Sequence, residues 1–224
     1  MRYVRNLCVA LVVLVMASAV AHARSGEEVV ARAGFFVDDL LRTLPPDEAM
    51  RRYVQNAYGV IVVPDLLEGG FVIGAEHGNG VLLVRDPITG QFGPPTFVQI
   101  FGGSLGLQVG GKTSEVVMTI MNEDAVDRII QGDVKFGADV GVALARIGAS
   151  LGAATTTGFG EDVYVFERSE GIFGGASIGA GGMYPNRSLM DAYWGQGATP
   201  RQVARDFGTT DQRSADLRQK LVQF

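Results

Sequence analysis

The sequence predicts an α+β fold: a single domain with a curved, mainly antiparallel β-sheet or half-barrel, flanked by N- and C-terminal helices. Three observations carry that prediction. Helical periodicity is confined to the two ends, around a strand-rich middle, an order that favours antiparallel pairing over βαβ repeats. The 224 residues include 31 glycines, roughly twice the usual share of about 7%. These glycines lie inside apolar, β-branched segments, where glycine marks bends, bulges and close approach of another backbone.

Residues 1–23 have the order of a secretory leader. Arg2 and Arg5 precede an uncharged apolar run over residues 7–20, and Ala21-His22-Ala23 supplies a small-residue cleavage site. That run is shorter than the roughly 20 residues of a spanning helix. Cys8 lies within the leader, and Arg5-Asn6-Leu7 before it lacks the small residues of a lipobox. The expected product is exported, periplasmic or associated with the outer envelope, and it holds no cysteine for a disulfide. Its stability must then rest on a hydrophobic core, for which its length suffices.

Residues 24–56 form a helical segment. Val29, Val30, Ala33, Phe36, Val37, Leu40 and Leu41 share one face of a helix over 26–43, which Pro45-Pro46 ends before a shorter helix over 47–56. An amphipathic helix of this kind is expected to pack on its own core rather than on a bilayer. The β-rich part covers 57–197. Strands are expected at 58–63, 71–76 and 81–85, with a turn at Gly69-Gly70 and a hairpin signal at Gly78-Asn79-Gly80. After turns at Asp86-Pro87 and Thr89-Gly90, strands are expected at 96–109 and 115–121, with Lys112 in the bend between them. Asn122-Glu123-Asp124 caps a short helix over 125–131. Residues 134–147 alternate large and small side chains as a strand, and 162–167 and 172–180 complete the set. Helices are expected over 185–194, 199–207 and 210–222, the last two in a C-terminal tail over 198–224.

Charge and composition exclude several functions. The formal net charge is −5 and becomes −7 when Arg2 and Arg5 leave with the leader, which argues against nucleic acid as a partner. With no cysteine after the leader and His77 as its one histidine, a zinc or transition-metal site is not expected. No EF-hand spacing appears, and no cofactor is expected.

Two enzyme motifs overlap in one glycine-rich stretch. Gly102-Gly103-Ser104-Leu105-Gly106 spells the nucleophile elbow, as does Gly175-Ala176-Ser177-Ile178-Gly179. Both lack a histidine after the serine and a helix after the turn. Residues 106–113 spell a P-loop, but the β-branched run over 115–121 cannot be the helix whose N-terminus holds phosphate. No catalytic residue is expected. The remaining enzymatic alternative is an esterase with Ser104 as its nucleophile.

The ordered set Ala57-Tyr58-Gly59-Val60-Ile61-Val62-Val63-Pro64, Gly69-Gly70-Phe71, Gly78-Asn79-Gly80, Gly93-Pro94-Pro95, the 102–110 stretch, Gly171-Ile172-Phe173-Gly174-Gly175 and Tyr193-Trp194-Gly195 resembles the SYLF domain. That family includes exported bacterial proteins and yeast actin-patch proteins. The resemblance implies a β-rich domain with flanking helices, no catalytic residues and binding to anionic phospholipids of the phosphoinositide or phosphatidic acid type. Glu68 stands where the family commonly has lysine before Gly-Gly-Phe. Given an anionic-lipid ligand, the candidate phosphate contacts are Arg85, Lys112 and Lys135, scarce cations near turns or strand ends. The alternative is an envelope protein-interaction or scaffold module.

Overall fold

The computed structural model describes residues 25–46, 48–132, 134–136, 139, 141–146 and 162–224. The leader expected over 1–23 lies outside them. In chain order the elements are α1 (Gly26–Thr43), α2 (Ala49–Asn56), β1 (Gly59–Val84), β2 (Thr96–Ile120), α3 (Glu123–Gln131), β3 (Val134–Lys135), β4 (Val142–Arg146), β5 (Val163–Pro185), α4 (Arg187–Trp194), α5 (Pro200–Val203) and α6 (Ala215–Leu221). The sheet order is β1-β2-β5-β3, all antiparallel, and β4 adds to β5 in parallel. The predicted class, α+β with a mainly antiparallel sheet and helices at both ends, is the one observed.

The strands are far longer than the sequence suggests. Gly69-Gly70 and Gly78-Asn79-Gly80 do not reverse the chain, and neither does the bend expected around Lys112. All lie inside β1 or β2, which pair along their whole length. Likewise 162–167 and 172–180 are parts of one strand, β5. The 134–147 strand, in contrast, divides into β3 and β4; between them the Asp139 carboxylate accepts the Lys135 N–H at 2.7 Å. The helices expected over 199–207 and 210–222 shorten to α5 and α6.

The glycines account for the difference. A straight strand of 26 residues would span about 85 Å at ~3.3 Å per residue. Yet the Arg85 N–H donates to the Tyr58 carbonyl at 2.8 Å, so the two ends of β1 meet. Bending occurs where Gly69 faces Gly111 and Gly70 faces Gly110 across the β1–β2 ladder. Gly110 has φ of +134°, a conformation that other residues rarely adopt. The same closure explains Gly78 and Gly80. A β-carbon at Gly78 would lie 2.9 Å from the Asp65 carbonyl oxygen, and one at Gly80 3.0 Å from the Ile61 and Val63 side chains. These glycines let one half of β1 pack on the other.

Doubling the sheet makes two cores. Inside the curl, Ile61, Val63, Leu82, Ile100, Met118 and Val165 belong to one buried cluster. On the outer face, Val60, Val62, Val81, Val117 and Phe166 pack with the helices. Residues 60–63 are therefore apolar without alternation, because both faces of that stretch are covered. Helix α1 places Val29, Val30, Ala33, Phe36, Val37 and Leu40 in the outer core, as its periodicity predicts. Its first turn is capped by Ser25, which accepts the Glu28 N–H at 3.1 Å. At its C-terminal end Arg51 donates to the carbonyl of Leu41 and, just past the helix, to those of Leu44 and Pro45, at 3.0 Å each.

Candidate functional site

The three candidate cations occupy three different environments. Arg85 directly follows β1 and is half-buried. Its Nε donates to the Ala57 carbonyl at 3.0 Å, Nη1 to Gly90 at 2.7 Å and Nη2 to Val54 at 2.8 Å. The guanidinium lies over the Phe92 ring, 4.3 Å from its centroid, and burial lowers its pKa. This side chain ties the end of α2 to the 86–90 turn. We expect Arg85→Ala to destabilise the protein by about 3 kcal/mol, the cost of stranding half-buried carbonyls. Lysine at this position should not rescue it, having no planar fork to span three acceptors. Urea denaturation of the two variants checks both statements.

Lys112 points into the curl of the sheet. The inward positions of β2 are even-numbered, since Val116, Met118 and Ile120 line the inner core. Lys112 lies opposite Glu68 in the ladder and pairs with it at 2.9 Å and with Glu167 at 2.7 Å. Ser114 donates to the same Glu167 oxygen at 2.6 Å. Glu76 comes to the same interior from the second half of β1. Burial first, then the charges of Glu68 and Glu167, raise its carboxyl above the usual range, against the opposing pull of Lys112. Burial depresses the Lys112 ammonium, but its bonds to Glu167 and Glu68 outweigh that and hold its pKa above the ordinary value. A lysine so engaged serves the interior of the fold.

Lys135 is different. It is exposed, on a two-residue edge strand. Register places Lys135 beside Gly182, Gly182 beside Phe101, and Phe101 beside His77, one row across β3, β5, β2 and β1. Phe101 is 44% exposed. His77, also exposed, stacks on it with centroids 4.6 Å apart. Tyr184 leans over Gly182, where a β-carbon would meet its hydroxyl at 3.0 Å. The structure thus gives Lys135 an aromatic platform that cation counting did not reveal. Strand parity carries the missed signal: 77, 101 and 135 share a face only once β1 and β2 are known to be continuous. The three cations are not brought together; Lys135 and Lys112 face positions of β5 eleven residues apart.

The two motif serines have no elbow. Ser104 lies within β2, opposite Gly74 and Gly179, and Ser177 within β5, opposite Gly106. The P-loop match is also strand throughout, and strand continues to Ile120.

A family model described as "Ysc84: Las17-binding protein actin regulator" matches residues 101–224. The chain is 26% identical over 152 residues to SH3 domain-containing YSC84-like protein 1 of Xenopus laevis, covering 67% of this chain and 45% of that protein. It is 25% identical over 165 residues to LAS seventeen-binding protein 3 of Saccharomyces cerevisiae, covering 72% and 34%. To Protein YSC84 of the same yeast it is 24% identical over 160 residues, covering 70% and 34%. The matched part of each relative is less than half of its length.

Proposed function

This chain belongs to the Ysc84 family, and on that premise we propose that it is a non-catalytic module that binds anionic phospholipid surfaces through the outer face of its curled sheet, in the cell envelope to which its leader directs it. The observation that supports this is the row of Lys135, Phe101 and His77 with Tyr184 beside it. Aromatic rings concentrate at the headgroup level of membranes, and one lysine near an anionic surface contributes about 1 kcal/mol. Among the described residues, Lys135 is the candidate cation whose side chain is exposed, whereas Arg85 and Lys112 are engaged by carbonyls and carboxylates. With a formal net charge of −5 for the full chain, such a surface repels the protein at long range. Contact must come from the aromatic row, with Lys135 supplying the preference for negative headgroups.

Flotation with vesicles of phosphatidylcholine alone or mixed with phosphatidylglycerol tests the reading. Greater recovery with the mixed vesicles is expected, a loss of that preference in Lys135→Glu, and a several-fold fall on all vesicles in Phe101→Ser. Equal recovery on both compositions, unchanged in either variant, would reject it. The relatives' names favour a second reading, a protein-interaction module. Capture of one stoichiometric protein partner, with no lipid retained, would support that instead.

A further inference from the structure

The row of Lys135, Phe101 and His77 holds a second group able to carry positive charge. His77 is exposed, and its ring lies on Phe101 with centroids 4.6 Å apart and planes at 28°. Histidine is the side chain that gains its proton between about pH 8 and pH 5. A neutral imidazole has one N–H to offer a phosphate oxygen, whereas the imidazolium has two and a full charge. The electron-rich face of the ring beneath also favours the cation. The surroundings direct that charge outward. Glu76, the residue before, turns to the interior, where Glu68, Lys112 and Glu167 act on it. Gly78, the residue after, lies against Asp65: a β-carbon there would be 2.9 Å from the Asp65 carbonyl oxygen, and the Asp65 carboxylate accepts from Arg32 Nε at 2.8 Å. Asn79, on the same face as His77, accepts from Asn186 at 2.9 Å, which brings the start of α4 and the exposed Arg187 to this side. Across the row stand Phe101, with Tyr184 beside it, then Gly182 and Lys135. Two cations, Lys135 and Arg187, thus share this side with His77.

We propose that protonation of His77 strengthens the hold of this face on anionic phospholipid, so that binding rises in acid, a regulation that rests on the vesicle-binding reading. One more cation near an anionic surface is worth about fivefold in affinity. Linkage makes the effect reciprocal, because a surface that binds the imidazolium better also favours its protonation. The net charge points the same way. At the formal value of −5, counted with neutral histidines, an anionic surface repels the protein, and a proton gained at the point of contact opposes that repulsion where it matters most.

Vesicle flotation at constant ionic strength, at about pH 8 and about pH 5.5, tests the proposal. The vesicles are phosphatidylcholine alone or mixed with phosphatidylglycerol, whose phosphodiester keeps its charge over that range. The unaltered protein should bind the mixed vesicles at least about fivefold more tightly at the lower pH. His77→Gln should lose most of that gain; carboxylates such as Glu76 are common to both proteins and contribute equally to each. His77→Lys should bind at the higher pH about as tightly as the unaltered protein does at the lower. Because His77 is exposed, both variants should keep the unaltered thermal midpoint. A gain of the same size in His77→Gln overturns the proposal, as does a gain equally large on phosphatidylcholine alone. Binding to mixed vesicles that does not change with pH rejects this regulation and leaves the vesicle-binding reading standing. Recovery on neither vesicle at either pH rejects both.

Discussion

Replacing Lys112 by alanine is expected to destabilise the fold by about 3 kcal/mol at neutral pH, at the lower end for loss of one partner from a buried charge pair. The lower end applies because Lys112, Glu68 and Glu167 remain between 19% and 31% exposed. The variant keeps three carboxylates, Glu68, Glu76 and Glu167, facing one interior. In the unaltered protein Glu76 already titrates above the ordinary carboxyl range. A raised acid binds its proton more tightly folded than unfolded. Its ionisation therefore costs stability as pH rises from the ordinary value of about 4.3 towards the raised one. Without Lys112 that rise grows, so the loss in Lys112→Ala should be small near pH 4 and increase towards neutrality. The Lys112 contribution in the unaltered protein has the opposite window. Its pKa is raised, so its stabilisation is complete below the ordinary lysine value of about 10.4 and is lost only as pH climbs through the raised value. Urea midpoints of both proteins between pH 4 and about pH 12 check the two windows. A loss in Lys112→Ala that does not change with pH would mean the carboxylates are not coupled.

The same cluster shows what the sequence could reveal. The fold class was legible because hydrophobic periodicity is local: the α1 face from Val29 to Leu40 and the non-alternating run at 60–63 need no knowledge of partners. Strand length was not legible. Gly69-Gly70 and Gly78-Asn79-Gly80 have the composition of turns, and a chain that bends within a strand looks locally like one that reverses. The distinction lies on the neighbouring strand, where Gly110 and Gly111 stand opposite Gly69 and Gly70. A bend at Lys112, as the sequence predicts, breaks the parity of β2 and leaves the direction of that side chain unspecified. Continuous pairing turns it inward, opposite Glu68. Glutamate at 68, where the resemblance leads one to expect lysine, suits that register: it pairs with Lys112, which a lysine would repel across the ladder. Lys135 kept its exposed place, but its aromatic neighbours come from strands 34 and 58 residues earlier in the chain and could be recognised only through register.

Alanine at Gly102 is expected to destabilise the protein by about 2 kcal/mol, as overpacking does in a well-filled interior. Gly102 faces Glu76 on β1 and Gly181 on β5. A β-carbon at Gly102 would lie 2.5 Å from both the Cγ and the Cδ of Glu76, and one at Gly181 3.0 Å from its Oε1. Because the clash reaches Cγ, rotating the end of the side chain does not relieve it. Glu76 must leave the cradle, taking its carboxylate away from Lys112. Removing the glutamate should therefore remove the conflict. Glu76→Ala in the Gly102→Ala background is expected to recover most of the loss, a coupling of at least 1 kcal/mol in a double-mutant cycle. The carboxyl's raised pKa adds a second signature: Glu76→Gln alone should raise stability at neutral pH, with the gain vanishing in acid where both side chains are uncharged. Additive losses at 76 and 102 would show that Gly102 is needed for its backbone alone. Coupling would show that the paired glycines of this sheet make room for a half-buried acid directly behind the exposed row of His77 and Phe101.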